Sequence, residues 1–284
     1  MSTAAIDDII LRALAEDSPW GDVTSELFLP ETARAVAALV PREPGILSGI
    51  DVAARVFGLV DAATEVELLA TDGDVFEPGD VLARVTGSAR AVLRAERIAL
   101  NLAQRMCGIA TLTARYVAAV EGTGARVVDT RKTTPGLRVL ERQAVRDGGG
   151  RNHRFSLSDA VLAKDNHLAV LAASGVPIGE AIRGARGRLG HTVHLEVEVD
   201  RLDQVEDVVA AGVDTIMLDN FSLDELAEGV RIVAGRALVE ASGGVNLDTV
   251  AAIARTGVDV ISVGALTHGA RALDLGLDLE IGIA

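Results

Sequence analysis

From about Arg126 onward the chain repeats one unit: a short apolar run, a polar motif, then a stretch with helical periodicity. Val127-Val128 runs into Asp-Thr-Arg-Lys, and Val161-Leu162-Ala163 into Lys-Asp-Asn-His. His194 to Val199 alternates with period two, and Thr215 to Leu218 ends in Asp219-Asn220. Ala237-Leu238-Val239 leads to Ser242-Gly243-Gly244, and Val260 to Val263 ends in Gly264. Helical patterns such as Leu202 to Ala211 and Leu223 to Val233 lie between, with Gly212 and Gly235 placed as C-caps. Six such units in series impose a parallel sheet, because parallel neighbours need a crossover. Their regularity, with every polar motif at a strand's carboxyl end, predicts a closed (β/α) barrel with its active site on that face.

The first hundred residues follow another pattern. An amphipathic helix (Ile6 to Ala15) and short strand-like runs split by Pro41, Pro44-Gly45, Asp72-Gly73 and Pro78-Gly79 predict a smaller α+β domain. The stretch Gly73 to Ala83 has the look of a biotinyl or lipoyl carrier turn, but the region has no lysine to modify, so it reads as a structural hairpin. A helix-rich stretch, Ala91 to Val120, leads into the barrel, and Gly108 is expected to bend or break it. The domain expectation is therefore residues 1–110 and 111–269, with the tail 270–284 returning to pack on the first domain.

Composition removes several function classes. Charges interrupt every long apolar run, so no segment is suited to span a bilayer. The acidic opening Met1 to Asp8 lacks the basic and apolar regions of a signal peptide. A lone Cys107, in an apolar helical context, makes no internal disulfide and reads as a core residue. These features predict a cytoplasmic protein. A net charge of −14 argues against nucleic acid or a membrane as partner.

The charge is uneven, however. Between Arg126 and His167 nine Lys/Arg face five Asp/Glu, so this stretch carries 9 − 5 = +4 and the rest −18. A basic island in an acidic protein suggests a focused site for a small anion; the bland alternative is a solvated basic face. The chain has only two lysines, Lys132 and Lys164, against 27 − 2 = 25 arginines, and both lie in this island. Where arginine is the default cation, these positions read as chosen for a compact charge on a flexible stem.

Ser242-Gly243-Gly244 and Gly264 to His268 each follow a strand, where glycine lets backbone N–H groups approach phosphate oxygens. Glu198 and Asp219 lie near neighbouring strand ends and suit Mg²⁺; Glu196 reads better as a solvated or salt-bridged acid. Arg131 and Arg154 offer planar forks to a carboxylate, and His153 a hydrogen bond. Neither zinc spacing nor a Ser-His-Asp arrangement stands out.

Seven motifs in order now carry a resemblance: Asp-Thr-Arg-Lys-Thr-Thr-Pro-Gly-Leu-Arg (129–138), Gly-Gly-Gly-Arg-Asn-His-Arg (148–154), Lys-Asp-Asn-His (164–167), Glu-Val-Glu-Val (196–199), Leu-Asp-Asn-Phe (218–221), Ser-Gly-Gly (242–244) and Val-Gly-Ala-Leu-Thr-His (263–268). With Gly-Asp-Val-Thr-Ser (21–25) and Ala-Glu-Arg (95–97), the chain resembles quinolinate phosphoribosyltransferase over nearly its whole length. Cys107 and Asp147 depart from the family's usual residues, and neither is a charged site residue of that pattern. The resemblance implies an α/β protein: an N-terminal α/β sandwich followed by an open, distorted (α/β) barrel. It implies transfer of phosphoribosyl from 5-phosphoribosyl-1-pyrophosphate to quinolinate with loss of CO₂, giving nicotinate mononucleotide for NAD biosynthesis, with Mg²⁺ as cofactor.

By the same resemblance, Arg131, His153, Arg154 and Lys164 hold the quinolinate carboxylates, and Lys132 reaches both substrates. Glu198 and Asp219 serve the ribose hydroxyls and, directly or through water, Mg²⁺. Ser242, Gly243, Gly264 and His268 hold the 5-phosphate, and Arg97 crosses a homodimer interface into the partner's site. A paralogue associated with molybdenum transport shares the fold but lacks a good match to Lys164–His167, which is intact here. Nicotinate phosphoribosyltransferase takes one carboxylate and needs fewer cations. A non-catalytic phosphosugar-binding barrel leaves the two lysines unexplained.

Overall fold

A computed structural model describes residues 3–283. The chain forms two compact units. The first comprises residues 1–114, 133–149 and 266–284, the second 115–132 and 150–265.

In the first unit, β1 (Ala33–Pro41) alternates small buried residues, Ala33, Ala35 and Ala37, with outward Arg34 and Val36. The period-two pattern half-buries a strand, and the small side chains keep this layer thin. A two-residue strand β2 (Gly45–Ile46) follows, then β3 (Glu65–Leu68), β4 (Val75–Phe76) and β5 (Ala83–Ser88). The main sheet is antiparallel, with β1 and β3 flanking β5. The expected hairpin within Gly73 to Ala83 does not form as such: β4 pairs with β2, not with β5, because Leu47 and Asp74 continue that ladder through backbone bonds.

In the second unit the strands are β6 (Arg126–Val128), β7 (Val161–Ala163), β8 (Leu195–Val199), β9 (Thr215–Asp219), β10 (Leu238–Ser242) and β11 (Val260–Ser262). All pairs are parallel, in the order β6-β11-β10-β9-β8-β7. Sequence neighbours are spatial neighbours all round except at β6 and β7, where the ring stays open. The barrel is thus open and not closed, as the family resemblance implied and the repeat pattern alone did not. Outward residues Val197, Ile216, Leu218, Val239 and Ile261 are buried, as are Val205, Val208, Leu226, Val233, Val250 and Ile253 on the intervening helices. Gly229 lets the helix Leu223–Val233 meet Leu218, whose Cδ1 lies 2.6 Å from where a Cβ would stand.

The last strand, β12 (Leu275–Ile283), pairs antiparallel with β1 along its whole length, so the tail does join the first unit's sheet. Two sequence expectations change. The helix Ala89–Ala119 passes through Gly108 unbroken; glycine is required there because an added Cβ would lie 1.9 Å from the carbonyl oxygen of Arg271. Residues 133–149, expected in the barrel segment, cluster with the first unit. There Glu141, almost fully buried, accepts from Arg105 at 2.9 Å and from the Thr134 hydroxyl at 2.7 Å.

Candidate active site

Every second residue of the barrel strands points inward, and the strands therefore stack side chains in layers. The lowest layer, at the amino ends, holds Arg126, Ala160, His194, Thr215, Leu238 and Val260, which line a cavity of about 400 Å³. The uppermost holds Thr130, Lys164, Glu198, Asp219 and Ser242, which line a second cavity of about 420 Å³ at the carboxyl ends. Between them lie Leu162, Glu196, Met217, Glu240 and Ser262. A barrel's middle layer is ordinarily filled with branched apolar residues; here it carries two buried glutamates.

Those glutamates are met by His153, which enters from the open side of the ring. Its Nε2 lies 3.1 Å from Glu196 and 3.5 Å from Glu240. Burial opposes a charge on the ring, but hydrogen bonds and attraction from both carboxylates outweigh it and push its pKa up to about 10. The backbone N–H of Arg154 works the other way, donating to Nδ1 at 2.7 Å, where a second ring proton would face it. We take that contact as fixing the ring proton on Nε2. Burial also raises the pKa of Glu196, against the hydrogen bond from His153. The three ligand atoms fall within 4.8 Å of one another, close enough for a metal ion. A metal on Nε2 would force the ring proton onto Nδ1, against the Arg154 N–H, so a shared proton suits this cluster better.

Glu196, expected as a solvated or salt-bridged acid, is buried against His153, and sequence reasoning missed Glu240. Glu240 stands two residues before Ser242 on the same strand, and the period-two alternation is the signal that would have found it.

The upper cavity is lined by Arg131, Lys132, His153, Arg154, Lys164, Glu198, Asp219 and Ser242 among others. It brings together eight of the residues singled out in the sequence. Arg131 carries a buried Nε with no hydrogen-bond partner. Burial, then repulsion from Arg131, lowers the pKa of Arg154. Cations are thus held close together, an arrangement that an arriving dianion relieves. Lys164 Nζ meets Glu198 Oε2 at 2.5 Å, so one of these cations is paired with a carboxylate on the neighbouring strand.

Glu198, next to last in β8, and Asp219, last in β9, stand near the ends of adjacent parallel strands. Their hard oxygen donors fit Mg²⁺, which takes one or two carboxylates, water and substrate phosphate. Gly243, with φ +89°, makes the turn after β10, and a Cβ there would lie 2.2 Å from Asn220 Oδ1. Gly264 follows β11 and opens the short helix Ala265–His268. Arg97 and His268 are exposed and belong to the first unit.

The comparisons with known proteins show the family. Residues 22–107 match the N-terminal domain of quinolinate phosphoribosyl transferase, and residues 109–278 match its C-terminal domain. The chain belongs to the quinolinate phosphoribosyl transferase family. It is 44% identical to the nicotinate-nucleotide pyrophosphorylase [carboxylating] of Mycobacterium leprae, over 97% of each chain. It is 41% identical to a probable enzyme of the same name from Bacillus subtilis, over 99% of this chain and 96% of that one. The crystal structure of NadC from Streptococcus pyogenes superposes with a TM-score of 0.94 at 40% identity, covering 99% of both chains.

Proposed function

We propose that this chain transfers phosphoribosyl from 5-phosphoribosyl-1-pyrophosphate to quinolinate and decarboxylates the adduct, giving nicotinate mononucleotide, pyrophosphate and CO₂. The observation that carries this reading is the charge of the cavity at the strand ends. Four cations, Arg131, Lys132, Arg154 and Lys164, form its cationic wall, and two carboxylates, Glu198 and Asp219, adjoin them. A planar dicarboxylate fits the cationic wall, and a sugar developing positive charge fits the two carboxylates.

The buried Nε of Arg131 supplies an unmet donor for a substrate carboxylate. Arg154 and Lys164 serve the same dianion, and Lys132 reaches both substrates. His153, its ring nitrogens engaged within the protein, shapes this wall and holds its position against the barrel core. The Ser242-Gly243 turn and Gly264 offer backbone N–H groups to the 5-phosphate, with His268 assigned there by family resemblance. Glu198 and Asp219 would hold Mg²⁺, which when bound neutralises charge on the leaving pyrophosphate.

As the bond to pyrophosphate lengthens, the ribose ring gains oxocarbenium character, as in glycoside chemistry. Carboxylates on the wall facing it stabilise that charge. The pyridine nitrogen then takes the sugar carbon. The quaternised nitrogen stabilises the electron pair left on the adjacent ring carbon, so the neighbouring carboxylate can leave as CO₂ without an organic cofactor, and that carbon then takes a proton from water. Arg97 is proposed to complete the site across a homodimer. Of the described residues, no helix is long and apolar enough to cross a membrane; we place the enzyme in the cytoplasm.

The test compares quinolinate with nicotinate in one pyrophosphate-release assay. A site with cations for two carboxylates leaves some unpaired when one is missing, and such mismatch discriminates by about 10⁴. Comparable kcat/KM for the two acids would refute the reading.

A further inference from the structure

The open side of the ring leaves one edge of β6 without a partner among the described strands, and the contacts that replace that partner bear on the site. The segment after Gly150 runs alongside for a single residue. Arg151 donates its N–H to Val127 at 2.9 Å, and Asp129 donates its own to Arg151 at 3.0 Å. Val128 and Arg151 form an isolated parallel bridge. Beyond it a side chain takes over from the backbone. The carboxylate of Asp129 accepts the backbone N–H of His153 at 2.7 Å and the side-chain amide of Asn152 at 2.6 Å.

Asp129 is fully buried. A buried carboxylate costs several kcal/mol unless its oxygens are met by donors, so these contacts must keep close geometry. They also fix the two residues next in the chain. His153, held at its backbone by Asp129, reaches Glu196 and Glu240 with its ring. Arg154 is held by its own N–H on the His153 ring and by its guanidinium on Ala160 O at 3.1 Å. By contrast, Ser242 ends β10 and Gly243 follows it, and the ladder to β9 extends through the Asn220 N–H to Ser242 O at 2.9 Å.

We propose that Asp129 is a positioning residue: its carboxylate replaces the missing strand ladder at the open side of the barrel and thereby sets His153 and Arg154 on the quinolinate wall. The proposal rests on the reaction assigned above. It ties Asp129 more closely to quinolinate than to the phosphate turn Ser242-Gly243, which is set by β10 and β9. It also explains why this position is an acid and not merely polar. The backbone of His153 and the amide of Asn152 both donate to it, and only a carboxylate presents acceptors alone.

The experiment measures KM for each substrate, and the thermal midpoint, in Asp129→Ala, Asp129→Asn and the swap Asp129→Asn/Asn152→Asp. Loss of a buried charged acceptor should raise KM for quinolinate about tenfold or more in Asp129→Ala. KM for the phosphoribosyl substrate should rise several-fold less than that for quinolinate, because the Ser242-Gly243 turn rests on β9 and β10 and not on this bond. Asp129→Asn should be intermediate. The swap should recover quinolinate KM, because the amide introduced at position 129 then accepts from the His153 N–H and donates to the carboxylate introduced at position 152. Equal rises in both KM values, no rise at all, or a swap no better than Asp129→Asn overturns the proposal. If Asp129→Ala does not fold, the other two variants decide. Wild-type enzyme releasing no CO₂ from quinolinate would refute the reaction; calorimetric quinolinate binding to the same variants would still decide the role of Asp129.

Discussion

Replacing Glu198 with glutamine should tighten quinolinate binding while it removes turnover. In the free enzyme Lys164 is held by Glu198 at 2.5 Å, and a quinolinate carboxylate must compete for that ammonium. The glutamate side chain is 8% exposed but the lysine 45%, so solvent screens much of the attraction. For such a half-exposed pair the net worth is about 0.5–1 kcal/mol, which converts to about a two- to fivefold gain in quinolinate affinity. Glutamine keeps the shape and drops the charge. Calorimetric titration without the phosphoribosyl substrate reads the effect directly, and raising the salt should shrink it. Repeating the substitution in a Lys164→Met background separates release of Lys164 from the mere loss of a negative charge near a dianion. A gain that persists there, or an unchanged or weaker affinity in Glu198→Gln at low salt, would refute the competition.

Lys132→Arg and Lys164→Arg keep the charge but replace a point cation with a longer planar fork; each should lose about two orders of magnitude in kcat/KM, with unfolding midpoints near wild type, and near-normal turnover in both would show that lysine is not specifically needed. For assembly, Arg97→Ala and Lys132→Ala should each be nearly inactive, yet co-expression should restore about a quarter of the sites by random pairing across a two-fold interface; purified mixed dimers without recovered activity would place Arg97 in its own chain's function. Gly108→Ala gains about 1 kcal/mol of helix propensity but sets a methyl 1.9 Å from the Arg271 carbonyl oxygen. Overpacking against backbone costs about 1–3 kcal/mol or more, so the urea midpoint should fall at constant m; a higher midpoint would show that the contact yields easily.

What the sequence disclosed, and what it withheld, divides by range. The six barrel strands and their polar ends are local patterns, and they appear where alternation and glycine placed them. Lys132 and Lys164 were conspicuous by scarcity, and both line the upper cavity. Gly108 misled because helix propensity is local, whereas the Arg271 carbonyl that requires it is distant in sequence. The carrier-like stretch misled similarly: β4 finds its partner in β2, a choice no turn motif announces. The open side of the barrel was invisible to periodicity, since every strand pattern was present and only one pairing fails. Glu240 was passed over because one acid in an apolar strand has no motif, although its step of two from Ser242 was there to be read.

The pairing of β1 with β12 has a consequence for biosynthesis. Ala33 faces Ile283, and Pro41 faces Leu275, so the first sheet needs a strand from the far end of the chain. All six barrel strands leave the ribosome before that strand does. The barrel can therefore collapse while the earlier sheet still has one flank of β1 bare, the kind of uncovered edge on which strands of other chains add. A stop codon, or a protease cut, between His268 and Leu275 would leave a chain whose barrel motifs are all present and whose first strand remains a docking edge. The tail therefore matters to solubility during synthesis, before the finished sheet exists.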